Sequence, residues 1–290
     1  MIDAAVHLFE DCADKNGGLL DRALAETIHY IALLGLSRSD FFHKSAFYGG
    51  TALHLLYNID RFSEDLDFTL LQPERQFSFA PYLGFIQDEL DSYGFHAEVA
   101  IKEKTAQAPI ESAFIKADTR VNFIEARVAP SLVQRIAPNA VCKVKCEVDI
   151  DPPVGIQSDI FYIDLPIPFP VRACNGPTLF AGKLAAVLTR GWRQRVKGRD
   201  WFDMVFLINR NIPVSLFHLE NRLRQVGFYT EDRPLDEVTL RSLLEKRVED
   251  LEIELAKQDV IRFIRNPKDV DIWSKDYFRY EIKKLRVQRI

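Results

Sequence analysis

Cysteine is scarce in this chain of 290 residues: four are present, Cys12, Cys142, Cys146 and Cys174, none arranged in a dense framework. So few thiols in a chain of this length exclude a disulfide-stapled secreted scaffold and favour a reducing compartment. Glycine and proline together occupy only 27 positions, too few for a collagen-like or low-complexity polymer. No apolar run approaches the roughly 20 residues that span a bilayer. The amino end carries Asp3, Glu10, Asp11 and Asp14 where a secretory signal would be basic and then apolar. The expectation is a cytoplasmic protein with no membrane segment. There is no internal repeat, sustained heptad or biased tract.

What is present is an ordinary globular composition, 47% hydrophobic and 28% charged, enough for a substantial core. The net charge of -4 hides an asymmetry. Residues 172 to 290 hold 24 Lys/Arg against 17 Asp/Glu, a balance of +7, while residues 1 to 171 carry -11. A phosphate-rich partner would find the carboxyl half the better surface.

Apolar spacing of three and four predicts a helix over 19–36, ending near Gly35. After Phe47 and Tyr48 come Gly49-Gly50-Thr51, the apolar run ALHLLY, a polar joint over 58–64 and a strand in DLDFTLL. Residues 80–93 read as helix, and 95–103, 112–128 and 141–150 as strands. Strands that follow one another without long helices between them imply an antiparallel or mixed sheet rather than a doubly wound one. Six prolines between Asp151 and Pro177 read as a crossing segment. Beyond it the spacing is helical over 178–190, 199–209, 213–226, 236–248 and 256–265. The expected architecture is α+β: a mixed sheet with flanking helices over residues 1–170, then a mainly helical domain over 171–290.

Asp65 and Asp67 alternate with Leu66, so on a strand both carboxylates emerge on one face. Two hard oxygen ligands side by side suit Mg²⁺ bridging to substrate phosphates. Gly49, Gly50 and Thr51 open a helix nearby, where backbone amides clear of side chains suit an approaching triphosphate. The order of glycine turn, helix, loop and Asp-x-Asp puts an anion cradle and a metal site on neighbouring loops. Ser63, two residues before Asp65, would bond a phosphate oxygen or stabilise the loop.

The stretch FYGGTALHLLYNIDRFSEDLDFTLL resembles the first motif of the AbiEii/AbiGii-type nucleotidyltransferase toxins, within the DNA polymerase β-like nucleotidyltransferase superfamily. Its most specific part is Arg61-Phe62-Ser63-Glu64-Asp65-Leu66-Asp67-Phe68. About 120 residues on, GKLAAVLTRGWRQRVKGRDWFDMVFLI is similar to the family's Lys-apolar-x-Ala…Arg…Arg-Asp-x-x-Asp segment. The resemblance implies a minimal nucleotidyltransferase sheet followed by a helical domain, an NTP substrate and a divalent metal, Mg²⁺ or Mn²⁺. It also implies transfer of a nucleoside monophosphate with release of pyrophosphate, and a toxin paired with an antitoxin. An RNA acceptor such as the tRNA 3′ end is known for some members.

By that resemblance Gly50 and Thr51, with Gly49 beside them, hold the triphosphate and Asp65 and Asp67 the metal. Lys183 and Asp200 fall on the second motif's functional positions. Lys183, near a helix amino end, would meet a phosphate as a point charge, and Asp200 would orient the incoming group or take its proton. Asp203 shares a face with Asp200 as a supporting partner. Arg190 would contact phosphate or form an ion pair with Asp200 or Asp203. In KVKCEVDID, Glu147, Asp149 and Asp151 alternate on one strand face; Asp149 is the first choice for a third carboxylate, Glu147 the second, and a purely surface role the alternative. Trp192, Arg193, Arg195 and Lys197 form a basic stretch with an aromatic for base stacking, suited to RNA. Cys142 and Cys146 have no histidine to complete a metal set and read as core residues. Other readings of the same residues are an enzyme that nucleotidylates protein, a non-catalytic RNA- or protein-binding member, and, last, an Asp-x-Asp glycosyltransferase.

Overall fold

The structure, a computed structural model, describes residues 1–102, 109–190 and 196–289. It divides into two compact units. The first comprises Met1–Ala52, Phe62–Pro152 and Ile160–Ala173, and the second Leu53–Arg61, Pro153–Asp159 and Cys174–Ile290.

The first unit is built on helices α1 (Asp3–Lys15), α2 (Leu20–Ser37) and α3 (Phe41–Lys44), then strand β1 (Ser45–Tyr48). Helix α4 (Gly49–Tyr57) starts here and runs into the second unit. Next come β2 (Leu66–Leu70), α5 (Ala80–Ser92), β3 (Ala97–Ile101), β4 (Ile110–Asp118), the short helices α6 (Thr119–Glu125) and α7 (Pro130–Val133), β5 (Val141–Asp149), β6 (Ser158–Ile163) and β7 (Phe169–Cys174). The seven strands form one mixed sheet in the order β3-β4-β5-β2-β1-β7-β6. Pairs β3–β4, β4–β5 and β1–β2 are antiparallel, whereas β2–β5 and β1–β7 are parallel.

Helix α2 is buried almost all round from Ala23 to Leu36, because it packs against α1, α5 and β5 at once. Beside it an aromatic cluster centres on Phe41, whose ring lies 5.0 Å from Phe68, 5.1 Å from Tyr82 and 5.4 Å from Phe79. Phe68 anchors the core side of β2 in that cluster, which fixes the strand's register and aims Asp67 at the opposite face.

Two elements differ from the sequence expectation. The strand predicted over 112–128 stops at Asp118, whose carboxylate accepts the Val121 backbone N–H at 2.8 Å and so caps α6. The proline-rich stretch after Asp151 contains two sheet strands, β6 and β7, rather than only a crossing. Pro170 is exposed within β7 while Val171 and Ala173 are buried, so the strand keeps its inward alternation despite the ring.

The second unit holds α8 (Gly176–Thr189), α9 (Gly198–Asn209), β8 (Val214–Ser215), α10 (Leu216–Gln225), α11 (Glu237–Glu249), α12 (Ile253–Ile261), α13 (Lys275–Lys284) and β9 (Val287–Gln288). Helix α8 packs on α9, α10 and α11, and α9 packs on α12 and α13. Its core includes fully buried Trp201 and Phe278, with ring centroids 4.8 Å apart. Among the described residues no helix is long and apolar enough to cross a membrane.

Candidate functional site

In the first unit the site grows out of strand β2. Alternation buries Leu66 and Phe68 and turns Asp67 to the other face. Parallel pairing with β5 sets Glu147 beside Asp67 and Asp149 beside Thr69. Of the acids offered by KVKCEVDID, Glu147 therefore shares Asp67's row, and Asp149 stands two pairs further along, opposite Thr69. Glu147 accepts the Ser112 hydroxyl at 3.3 Å and is paired with Lys145 Nζ at 2.5 Å. Asp149 Oδ1 accepts the backbone N–H of Asp151 at 3.2 Å, closing the end of the strand.

Antiparallel pairing with β1 sets Tyr48 opposite Asp67, so the chain turns from β1 into α4 beside that carboxylate. Gly49 makes the turn at φ +85°, and a Cβ there would lie 2.3 Å from Asp67 Oδ2. Only glycine supplies both the left-handed backbone and the missing volume. The glycine turn and the Asp-x-Asp pair are thus adjacent, as their order in the sequence predicts. Gly50 and Thr51 are buried in the first turn of α4. The Thr51 hydroxyl donates to the Asp65 carbonyl in a short hydrogen bond, so the side chain assigned to triphosphate holds the acidic loop to the helix.

The loop is pinned elsewhere too. His29 Nε2 lies 3.1 Å from the Glu64 carbonyl oxygen, and the Arg22 guanidinium sits 5.4 Å from the Phe62 ring centroid. Ser63 is buried between these anchors. Burial first, and then the charges of Asp65, Asp67 and Glu147, push the Cys146 thiol well above its ordinary range. Burial likewise pushes Cys142 up to about 12. Both thiols are free, and burial favours their protonated form.

The donor set suits one kind of cation. Among the described residues no group of three or more His, Cys, Asp or Glu side chains gathers into a cage for a metal ion. Asp65 and Asp67 carry the hard carboxylate oxygens that a Mg²⁺ or Mn²⁺ ion accepts. Glu147 is the neighbouring carboxylate in register.

In the second unit Lys183 lies mid-way along α8, rather than near its amino end. Its Nζ is 2.8 Å from Asp203 Oδ2 on α9. Asp203 also receives Arg61, with Nε 2.6 Å from Oδ1 and the NH2 nitrogen 2.6 Å from Oδ2. Burial opposes ionisation of Asp203, but Arg61 and Lys183 outweigh it and hold the carboxyl below its usual range. One turn earlier, Asp200 forms a short ion pair with Arg190. Asp200 is buried in the first turn of α9, where α12 comes very close: a Cβ on Gly198 would lie 1.9 Å from the Ala256 carbonyl oxygen.

Lys197 stands half-buried at the N-cap of α9, while Trp192, Arg193 and Arg195 lie outside the described residues. Arg61 is the residue that sequence reasoning left without a role. It stands inside the first motif, but its partner is 142 positions away, and no local spacing signals so distant a pair.

The structure is similar to the crystal structure of JHP933 from Helicobacter pylori, with a TM-score of 0.52 at 18% identity over 90% of this chain and 88% of that one. A second H. pylori crystal structure, of a protein provisionally described as a nucleotidyltransferase, matches with a TM-score of 0.48 at 18% identity over 89% of each chain. No curated protein sequence matches. The fold class is therefore the mixed α+β fold expected from the order of strands and helices. Residues 31–280 match the family described as nucleotidyl transferase AbiEii toxin, type IV toxin–antitoxin system. The chain belongs to that family.

Proposed function

We propose that this chain transfers a nucleoside monophosphate from an NTP to an RNA acceptor such as the 3′ end of tRNA. On this reading it acts in the cytoplasm as the toxin of a toxin–antitoxin pair. The observation that carries it is the juxtaposition of Gly49 with Asp67, and of Asp67 with Glu147, on one sheet face of a family member. The acceptor hydroxyl oxygen bonds to the α-phosphorus, the bond to the bridging oxygen breaks, pyrophosphate leaves, and the hydroxyl proton passes to water.

Asp65 and Asp67 would hold Mg²⁺ or Mn²⁺, and of the acids on β5 it is Glu147, not Asp149, that stands in register with Asp67. The ion supplies charge neutralisation at the phosphates. Gly49, Gly50 and the first turn of α4 present backbone amides to the triphosphate. Lys183 meets a phosphate as a point charge. Asp200, already held by Arg190, orients the incoming group. The basic stretch through Arg193, Arg195 and Lys197, with Trp192, receives RNA.

The test is to incubate the purified protein with Mg²⁺, each α-labelled NTP in turn and total cellular RNA, with Asp67→Ala alongside. Label entering small RNA and lost in the variant supports the reading and identifies the nucleotide. Label in protein overturns the RNA acceptor, and no label from folded protein overturns the transfer itself.

A further inference from the structure

We propose that Arg61 and Asp203 are positioning residues for the Lys183 amine, holding it in one orientation that leaves N–H donors for an anionic group of the ligand. The inference rests on the transferase reading for the identity of the ligand, but the placement of the amine rests on geometry alone.

A lysine side chain has a flexible four-carbon stem, and fixing it costs rotamer freedom. Here one end of the ammonium is tied to Asp203 Oδ2 at 2.8 Å, and the side chain is only 14% exposed. The carboxylate that ties it is itself fixed, because Arg61 grips both oxygens at 2.6 Å through its planar fork. A fork fixes the carboxylate plane as a single ammonium contact would not. Helix α8 supplies the lysine, α9 the aspartate, and the polar joint after α4 the arginine, all inside the second unit.

Stability does not explain the arrangement. Asp203 and Arg61 are 0% and 3% exposed, and desolvating two such ions costs several kcal/mol each. Apolar residues of similar volume commonly match or exceed a buried ion pair in stability. What an apolar replacement cannot do is aim an amine. Held by Asp203 alone among the described residues, the ammonium keeps donors for an anion. Asp200 is separately committed to Arg190 and does not compete for it.

The experiment is a double-mutant cycle of Asp203→Asn with Lys183→Ala, read by kcat/KM for the NTP and by the rate of Lys183 acetylation with acetic anhydride at fixed pH. Exposed Lys268 is the internal reference in the mass spectrum. Asp203→Asn is expected to lower kcat/KM by about 10²-fold, the size of a misplaced group. It should do nothing further in the Lys183→Ala background, and should raise Lys183 acetylation about threefold or more.

Independent losses that multiply, or an unchanged acetylation rate, overturn the proposal. If Asp203→Asn fails to fold, Arg61→Lys, which keeps the charge and gives up the fork, carries the same two readouts and should fall between wild type and Arg61→Ala. A wild-type protein that transfers nothing, while either variant still frees Lys183 to acetylation, overturns the transferase reading and supports the placement of the amine.

Discussion

Gly49 and Asp67 claim the same space: the hydrogen of the glycine faces the carboxylate, and a methyl group would lie 2.3 Å from its Oδ2 and 2.9 Å from its Cβ. Gly49→Ala must therefore displace Asp67 and also place an L side chain at φ +85°, which costs about 1–2 kcal/mol in the backbone alone. Transfer should fall by about 10²-fold or more, beyond what the loss of stability explains. Comparing kcat with the melting midpoint separates the two effects.

The carboxylates and the thiols predict opposite outcomes although they share strands. Asp65→Ala and Asp67→Ala should abolish transfer. Cys142→Ser, at a half-buried position, should leave it nearly intact and change stability by less than about 1 kcal/mol. Labelled-NTP assays of all three variants check this, and a fully active Asp67→Ala protein would remove the metal assignment.

His218 gives the second unit a pH dependence. Burial, then the charge of Arg222, lower its pKa to about 4, while its contact with the Val154 carbonyl acts the other way. The unfolded residue titrates near 6.5, so the unfolded chain binds the proton first as pH falls. Stability from this residue is complete above about 6.5 and is lost as pH drops toward 4, by roughly 3 kcal/mol in all. Denaturant unfolding measured across that window should show the slope, and His218→Gln should flatten it.

Gly198 allows the close approach of α9 to α12. With Ala256 O only 1.9 Å from an added Cβ, and both partners backbone, Gly198→Ala should cost about 1–3 kcal/mol or more. Thermal melting tests this, and an unchanged midpoint would mean that α12 yields easily.

Local pattern made much of this legible. The helical stripe of α2, the alternation in β2 and the turn residues at Gly49 are short-range signals, and each fell where spacing placed it. The end of β4 was missed because alternation and apolar content continue past Asp118, and only the capping bond to Val121 marks the change to helix. Strands β6 and β7 were missed because proline reads as interruption, yet Pro170 sits exposed in β7. For the carboxylates, the sequence put Asp149 first and Glu147 second among Glu147, Asp149 and Asp151, whereas it is Glu147 that pairs in register with Asp67. Choosing among them needs the register of β2 against β5, a contact between strands that lie far apart in the chain. Arg61 was invisible for the same reason at greater range.

The two units are interleaved along the polypeptide: the second takes Leu53–Arg61 and Pro153–Asp159 from between pieces of the first. During synthesis Arg61 therefore emerges long before Asp203, 142 residues later. At the usual 5–20 residues per second, that is a wait of about 7–30 s. For that interval the nascent chain has the sequence of the acidic motif without the aspartate that Arg61 grips. A ribosome-bound chain cut short before α9 lacks that aspartate altogether, so the order of translation itself withholds the lysine clamp until most of the chain has been made.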